Sequence, residues 1–261
     1  MSFDLTKYKV LSFDIYATLI DWENGIYHAL VDRLGGLPVE QALHEASDVD
    51  KRKLLLGIYH EFETQIEREQ PTLSYDQVLG EAYTRIAKQF NISSTQDKAE
   101  SFGKTIGEWL PFPDTVAAMQ ILGERYKLIA LSNVDKRSFN RTLSGPLQGV
   151  RFDGIYTAED IGTYKPDLNN FKYLVEHARQ DFGAQKTEIL HVAQSLTHDH
   201  VPAKEFGLAP GVWIEREGKE GAMGGDRETL EHDDKINLAA AFETLGDMAE
   251  AVDQAFKHVS K

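Results

Sequence analysis

The stretch Lys9 to Asp21, KVLSFDIYATLID, constrains this 261-residue chain more than any other. Val10 to Phe13 is a mostly apolar run, short enough for a strand buried on both faces of a parallel sheet. It stops at an acid, Asp14. A carboxylate at the C-terminal end of such a strand faces the crevice where open α/β sheets place their ligands. Asp14 is therefore a candidate nucleophile. The alternative, from this segment alone, is a carboxylate that caps the following turn.

Residues 22 to 108 contain no convincing buried strand. They read as helices over Asn24 to Leu34, Val39 to Ile66, Ser74 to Phe90 and Thr95 to Trp109, with breaks at Leu34–Pro38 and Gln70–Pro71. Leu54, Ile58, Phe62 and Ile66 recur every fourth residue and predict one buried helical stripe. A proline-rich return, Trp109 to Asp114, closes this insert, and a helix from Pro113 to Arg125 follows.

Strands and helices then alternate. Leu128–Leu131, Gly154–Thr157, Ile189–Ala193 and Val212–Ile214 read as strands. Helices are expected over 136–143, 168–182 and 198–206. Glu217 to Asp233 reads as a charged, glycine-rich loop, and Asn237 to Phe256 as one amphipathic helix. The alternation predicts an α/β fold, a doubly wound parallel sheet. No G-x-G-x-x-G or Walker loop is present.

Asp and Glu outnumber Lys and Arg by 42 to 28, a formal charge of −14, which argues against a general nucleic-acid binder. An anionic small molecule remains compatible, because a locally positive site can sit on an acidic protein. With no cysteine there is no disulfide, thiolate nucleophile or cysteine metal site. The first residues lack the apolar core of a signal peptide, and no apolar run approaches ~20 residues. A soluble, cytoplasmic protein with no membrane partner is the expectation.

Four strand ends carry polar residues: Asp14 with Thr18, Ser132 with Asn133, Lys165 beyond the third, and Gln194 to Asp199 beyond the fourth. In a parallel sheet these converge on one edge. At these positions the chain resembles the haloacid dehalogenase (HAD) superfamily. FDIYATLID is similar to its first motif, LIALSN to its second, TYKPD to its third and residues 189–199 to its fourth. The resemblance implies a HAD-like, Rossmann-type core over residues 1–21 and 109–261. It also implies an all-helical cap domain over residues 22–108, inserted after the first strand. Asp14 would attack the substrate and form an ester that water hydrolyses. Lys165 would keep Asp14 ionised, and Thr18 would orient it. Ser132 and Asn133 would bind an anionic group of the substrate, and Asp199 would position Lys165 or the hydrolytic water. For Thr18, capping is the alternative; for Asn133, a turn.

Two positions bear on the branch. Phosphatases of this superfamily carry an acid two residues after the nucleophile; here it is Tyr16. They also carry a Mg²⁺-holding acid in the fourth motif; here Gln194 takes that place. Tyr16 and Gln194 are thus expected at the substrate, with no metal. The pattern is similar to the type II L-2-haloacid dehalogenase branch, in which a halide departs without a proton. That branch has Ser and Asn where this chain has Gln194 and Leu196, and Tyr where it has Phe171. Its carboxylate-binding cap arginine matches Arg33, Arg52 or Arg68. The resemblance implies a hydrolase without a cofactor, acting on a small anionic substrate as a homodimer. A Mg²⁺-dependent phosphatase and a non-catalytic metabolite-binding relative are the alternatives. His198-Asp199-His200 invites a metal reading, but adjacent residues do not share a helix face.

Overall fold

The computed structural model describes residues 3–34, 47–70, 72–208, 210–216 and 225–259. They fall into two compact units: residues 1–20, 111–133 and 147–261 in one, and residues 21–110 and 134–146 in the other.

The first unit is built on a six-stranded sheet in the order β3-β2-β1-β4-β5-β6, every described pairing parallel. β1 is Val10–Phe13, β2 Lys127–Ser132, β3 Gly154–Thr157, β4 Ile189–Ala193, β5 Gly211–Ile214 and β6 Leu238–Phe242. All four β1 residues are buried, as an apolar run between two covered faces requires. β1 lies between β2 and β4, so the chain winds outward from it in both directions. The carboxyl ends of these three strands form the switch point where such sheets bind ligands. Asp14 leaves β1 there, Ser132 ends β2, and Gln194 follows β4.

The helix Asn169–Phe182 places Phe171, Leu174 and Ala178 against Val10, Ile129, Leu131 and Ile189. The i, i+3, i+7 spacing puts all three on one helix face, and burying a side chain the size of Phe or Leu stabilises by roughly 1.5–3 kcal/mol. Gly183, with φ 63°, ends the helix in the left-handed conformation that glycine adopts most cheaply.

Two sequence expectations fail at the C-terminal end of the sheet. Asn237 to Phe256 is not one helix: Leu238–Phe242 forms β6, and the helix is Leu245–Val259. Ala-rich sequence favours a helix locally, but β5 offers it a ladder, and Gly211 and Glu215 donate to the carbonyls of Asn237 and Phe242. Arg227–His232, expected as loop, is a short helix capped by the Asp226 side chain. Residues 217–224 of that expected loop lie outside the described residues.

The second unit is helical: Trp22–Leu34, Asp48–Glu69, Tyr75–Gln89, Gln96–Gly103 and Lys136–Ser144. The expected helix from Val39 begins, within the described residues, at Asp48, because the Ser47 side chain accepts the Asp50 N–H as an N-cap. Residues 39–46 lie outside the described residues. Of the expected stripe only Ile66 is fully buried; the other buried positions of this face lie one residue further on. Leu55, Tyr59, Glu63 and Ile66 are buried, whereas Leu54 is 43% exposed. Glu63 tolerates this because the Tyr59 hydroxyl donates to it at 2.9 Å and the Tyr75 hydroxyl donates as well.

Tyr83 stacks on Phe102 at 5.3 Å, joining two helices of this unit. Their close approach depends on Gly103, where an added Cβ would lie 2.0 Å from the Asp76 carbonyl oxygen. Gly103→Ala is expected to lower stability by about 1–3 kcal/mol, read from a urea denaturation midpoint. An unchanged midpoint would mean that the two helices separate there without cost.

Candidate active site

Lys165 is the centre of the site. Its ammonium is buried and directs all three N–H groups at oxygens: Asp14 Oδ1 at 2.8 Å, Asp199 Oδ1 at 2.7 Å and the Leu131 carbonyl at 3.1 Å. The two carboxylates come from the ends of β1 and β4, and the carbonyl from β2. One cation thus ties the three central strands together at the edge where they end.

The backbone of Lys165 is held as firmly as its side chain. Its N–H donates to Asn133 Oδ1 at 2.6 Å, and Asn133 Nδ2 donates back to its carbonyl at 2.9 Å. Asn133 was expected to bind an anionic substrate group. Its carboxamide is occupied at both ends by the Lys165 backbone, because a lysine loop that enters the sheet edge from a distance needs its peptide groups satisfied.

Asp14 accepts from Lys165 at Oδ1 and from Thr18 Oγ1 at Oδ2, the latter at 2.8 Å. The direction of the second bond is fixed, since Thr18 Oγ1 also accepts the Gln194 N–H at 2.9 Å and must give its own hydrogen to Asp14. Between them, Ala17 has φ 81°, a left-handed conformation costly for a residue with a Cβ. The turn is held by Arg216, whose buried guanidinium donates twice to the Thr18 carbonyl, at 2.9 and 2.7 Å. Arg216 also donates to Asp114 at 2.7 Å and lies 4.1 Å from the centre of the Phe112 ring.

Burial and the Asp199 charge raise the Asp14 carboxyl above its ordinary range, with Lys165 opposing them. Both Asp14 oxygens nevertheless accept hydrogen bonds, the pattern of an ionised carboxylate. Burial pushes Asp199 up as well, but Lys165 and a hydrogen bond from His191 outweigh it and hold the group well below the usual range. Burial pushes Lys165 down, and the two carboxylates more than offset this, so it stays an ammonium.

The remaining expected residues lie at the same edge. Ser132 is buried, and its Oγ has no hydrogen-bond partner among the described residues. Tyr16 is half-buried and pairs with Ile20 in an isolated bridge. Gln194 is buried, and its carbonyl accepts the Trp213 indole N–H at 2.8 Å. Arg33 and Arg52, within the helical unit, bond Ser101 and Asn24 respectively.

His198, Asp199 and His200 diverge. His198 faces Ser195, Asp199 faces Lys165, and His200 lies 3.1 Å from the Ala193 carbonyl. Burial pushes His200 down to about 4, so the ring is neutral and donates to that carbonyl. A π turn at Leu196–His200, in which His200 N–H reaches back to the Ser195 carbonyl, spreads these side chains apart. Among the described residues no three His, Asp or Glu side chains gather as a metal site. Nor does the donor set of the crevice suit a divalent cation, because the facing oxygens of Asp14 and Asp199 are bridged by an ammonium.

Sequence reading missed two participants. His191, fully buried in β4, lies 2.9 Å from Asp199 Oδ1 through Nε2 and 2.9 Å from Ser12 Oγ through Nδ1. Arg216 was the other. The available signal for the first was a pair of polar residues, Ser12 and His191, inside otherwise apolar strand runs.

A family profile for haloacid dehalogenase-like hydrolases matches residues 8–207. The (S)-2-haloacid dehalogenase H-109 of Pseudomonas putida is 27% identical over 146 residues, which span 56% of this chain and 62% of that enzyme. The match therefore covers less than two thirds of the relative's length. Among solved structures, the L-2-haloacid dehalogenase from Xanthobacter autotrophicus with chloropropionic acid covalently bound superposes with a TM-score of 0.72 at 15% identity, over 94% of this chain and 98% of that one. The HAD-hydrolase YfnB from Bacillus subtilis, bound to magnesium, superposes with a TM-score of 0.67 at 17% identity, over 94% and 99%. At these identities the likeness establishes the fold and leaves the reaction open. The profile covers well over half of the chain and includes every residue that bonds Asp14 or Lys165, and the chain belongs to the haloacid dehalogenase-like hydrolase family.

Proposed function

We propose that this protein hydrolyses small 2-halo acids through an ester on Asp14. The observation that carries the reading is an ionised carboxylate held at both oxygens, by Lys165 and Thr18, with tyrosine two residues on where a leaving-group acid would stand. A halide needs no proton to depart, whereas an alkoxide does. Asp14 attacks the carbon bearing the halogen, halide leaves, and water then cleaves the ester to give a 2-hydroxy acid.

In this scheme Lys165 and Thr18 aim Asp14, and Lys165 offsets the negative charge that gathers around it. Ser132, a buried hydroxyl with a hydrogen bond still to give, suits the substrate carboxylate. Tyr16 and Gln194 line the approach to it. Asp199 serves the hydrolytic water and Lys165. Asn133 serves by fixing the Lys165 loop. We read residues 22–108 as the inserted cap domain and the rest as core, and the active species as a homodimer, which light scattering would check. No described helix is long and apolar enough to cross a membrane.

The test is a panel of 2-halo acids and phosphate monoesters, each with EDTA and with added Mg²⁺. Halide release that is indifferent to both additions is expected. Phosphate release abolished by EDTA and restored by Mg²⁺ would replace this reading with the phosphatase one. A ligand that binds without turnover would favour a metabolite-binding relative.

A further inference from the structure

Ser12, His191 and Asp199 form a buried line of hydrogen bonds that the scheme above does not use. Ser12 and His191 are register partners on β1 and β4, and neither is exposed at all. Serine, histidine and aspartate in series suggest a nucleophilic triad. Ser12 sits inside the central strand, where no substrate reaches it, so the line must act in the other direction, toward Asp199.

The ring has little choice of orientation. Its Nε2 faces Asp199 Oδ1, an acceptor, and therefore carries hydrogen. In the neutral ring Nδ1 then accepts, and the Ser12 hydroxyl donates to it. Phe171 meets the imidazole edge-on at 5.4 Å and 87° from the helix side. The charged or titratable groups around this pair are Lys165, with Asp14 beyond it, and His200, whose ring lies 6.2 Å from that of His191. His191 and Lys165 converge on the same oxygen, Oδ1, and neither bond uses Oδ2.

We infer that His191 is a positioning residue for the second half-reaction: its Nε2–H fixes the Asp199 carboxylate so that Oδ2 holds the water that cleaves the Asp14 ester. The inference rests on the ester mechanism proposed above. In that step the water oxygen bonds to Asp14 Cγ, and the bond from Cγ to the substrate oxygen breaks. The hydroxy acid leaves with one proton of the water, the other passes to solvent, and Asp14 returns as a carboxylate. The first half-reaction, attack on carbon with loss of halide, calls on Lys165 and Thr18 and not on His191.

The two halves separate in kinetics. His191→Phe keeps a flat ring without a donor, and His191→Gln returns an N–H at similar reach. With 2-chloropropionate, His191→Phe is expected to give a burst of halide approaching one per active site and an ester detectable on the Asp14 peptide. Its kcat should fall about 10- to 100-fold, the range of one charge-assisted hydrogen bond, with kcat/KM unchanged. His191→Gln should recover most of kcat. A parallel fall in kcat and kcat/KM, a missing burst, or a Gln variant no better than Phe would overturn the inference.

Should the wild type release no halide, the haloacid reading fails and the inference about the second half-reaction falls with it, while the ¹⁵N spectrum of the His191 ring in the resting protein tests the bond to Asp199 independently. Hydrogen on Nε2, with Asp199 as its acceptor, upholds that bond; a bare Nε2 overturns the inference whatever the substrate. The same spectrum serves if His191→Phe does not fold.

Discussion

Asp14→Asn is expected to reduce turnover on the order of 10³-fold or more while leaving the fold intact. The amide keeps the shape and an oxygen for Lys165, but lacks the charge that attacks carbon. Its effect on stability should run opposite to its effect on activity. Burial raises the folded-state pKa of Asp14, so this group favours the folded state below the unfolded carboxyl range and loses that contribution as pH rises through the folded value. At neutral pH the wild type holds a carboxylate that would be more stable in water, and the amide removes that cost. A melting temperature equal to or above that of the wild type at pH 7 is expected, and a marked drop would mean that the carboxylate organises the sheet edge. The chemistry has its own isotopic signature. In a single turnover in ¹⁸O water, label should enter Asp14, and the product should carry unlabelled oxygen. Label passing directly to product would make water the nucleophile and Asp14 a general base.

Lys165→Met is expected to be the most damaging single change to stability. It leaves Asp14 and Asp199 buried and facing each other without the cation that both now share. Removing one partner of a buried ion pair costs about 3–5 kcal/mol, and this lysine has two partners. The loss should depend on pH. Without Lys165 the folded carboxyl values rise, so the variant regains stability as pH falls and protons neutralise the pair. In the wild type the two acids oppose each other: Asp14, raised in the fold, favours acid, whereas Asp199, held low, contributes stability that is lost only below the unfolded carboxyl range. The gap between urea midpoints should therefore be wide at pH 7 and narrower at pH 5. A gap constant across that range would show that the lysine acts by packing rather than by charge. Activity should be lost at both pH values.

The groups gathered at the sheet edge were legible because polar residues at or beyond the ends of buried strands have few structural reasons to recur. Asp14, Ser132, Lys165 and Asp199 each lie at or beyond the end of a strand, and a parallel sheet brings such ends to one edge. What supports them was harder to see. His191 sits in the middle of ILHVA and Ser12 in the middle of VLSF, where a buried strand is judged by its apolar neighbours. Only the register between β1 and β4 makes them a pair, and register is a property of two segments 179 residues apart. Arg216 follows a short strand with nothing in its neighbours to single it out, although it anchors the turn after Asp14 through the Thr18 carbonyl. The misplaced stripe on the helix Asp48–Glu69 has a similar cause. A four-residue apolar period at Leu54 fits one face well, but the face that is buried is the one where Tyr59 and Tyr75 satisfy Glu63.

The π turn at Leu196–His200 bears on how this protein can change over generations. A helical turn with one residue more than the α pattern needs can shed that residue and remain a helix. The deletion would rotate everything beyond it, relative to β4, by about 100°. Asp199 would swing away from Lys165 and His191, and a different side chain would take its bearing. Exchanging one amino acid for another in this segment leaves the bearing of Asp199 in place. Insertion or deletion changes that bearing outright, so lineages that keep the Lys165–Asp199 pair are bound to keep the segment's length.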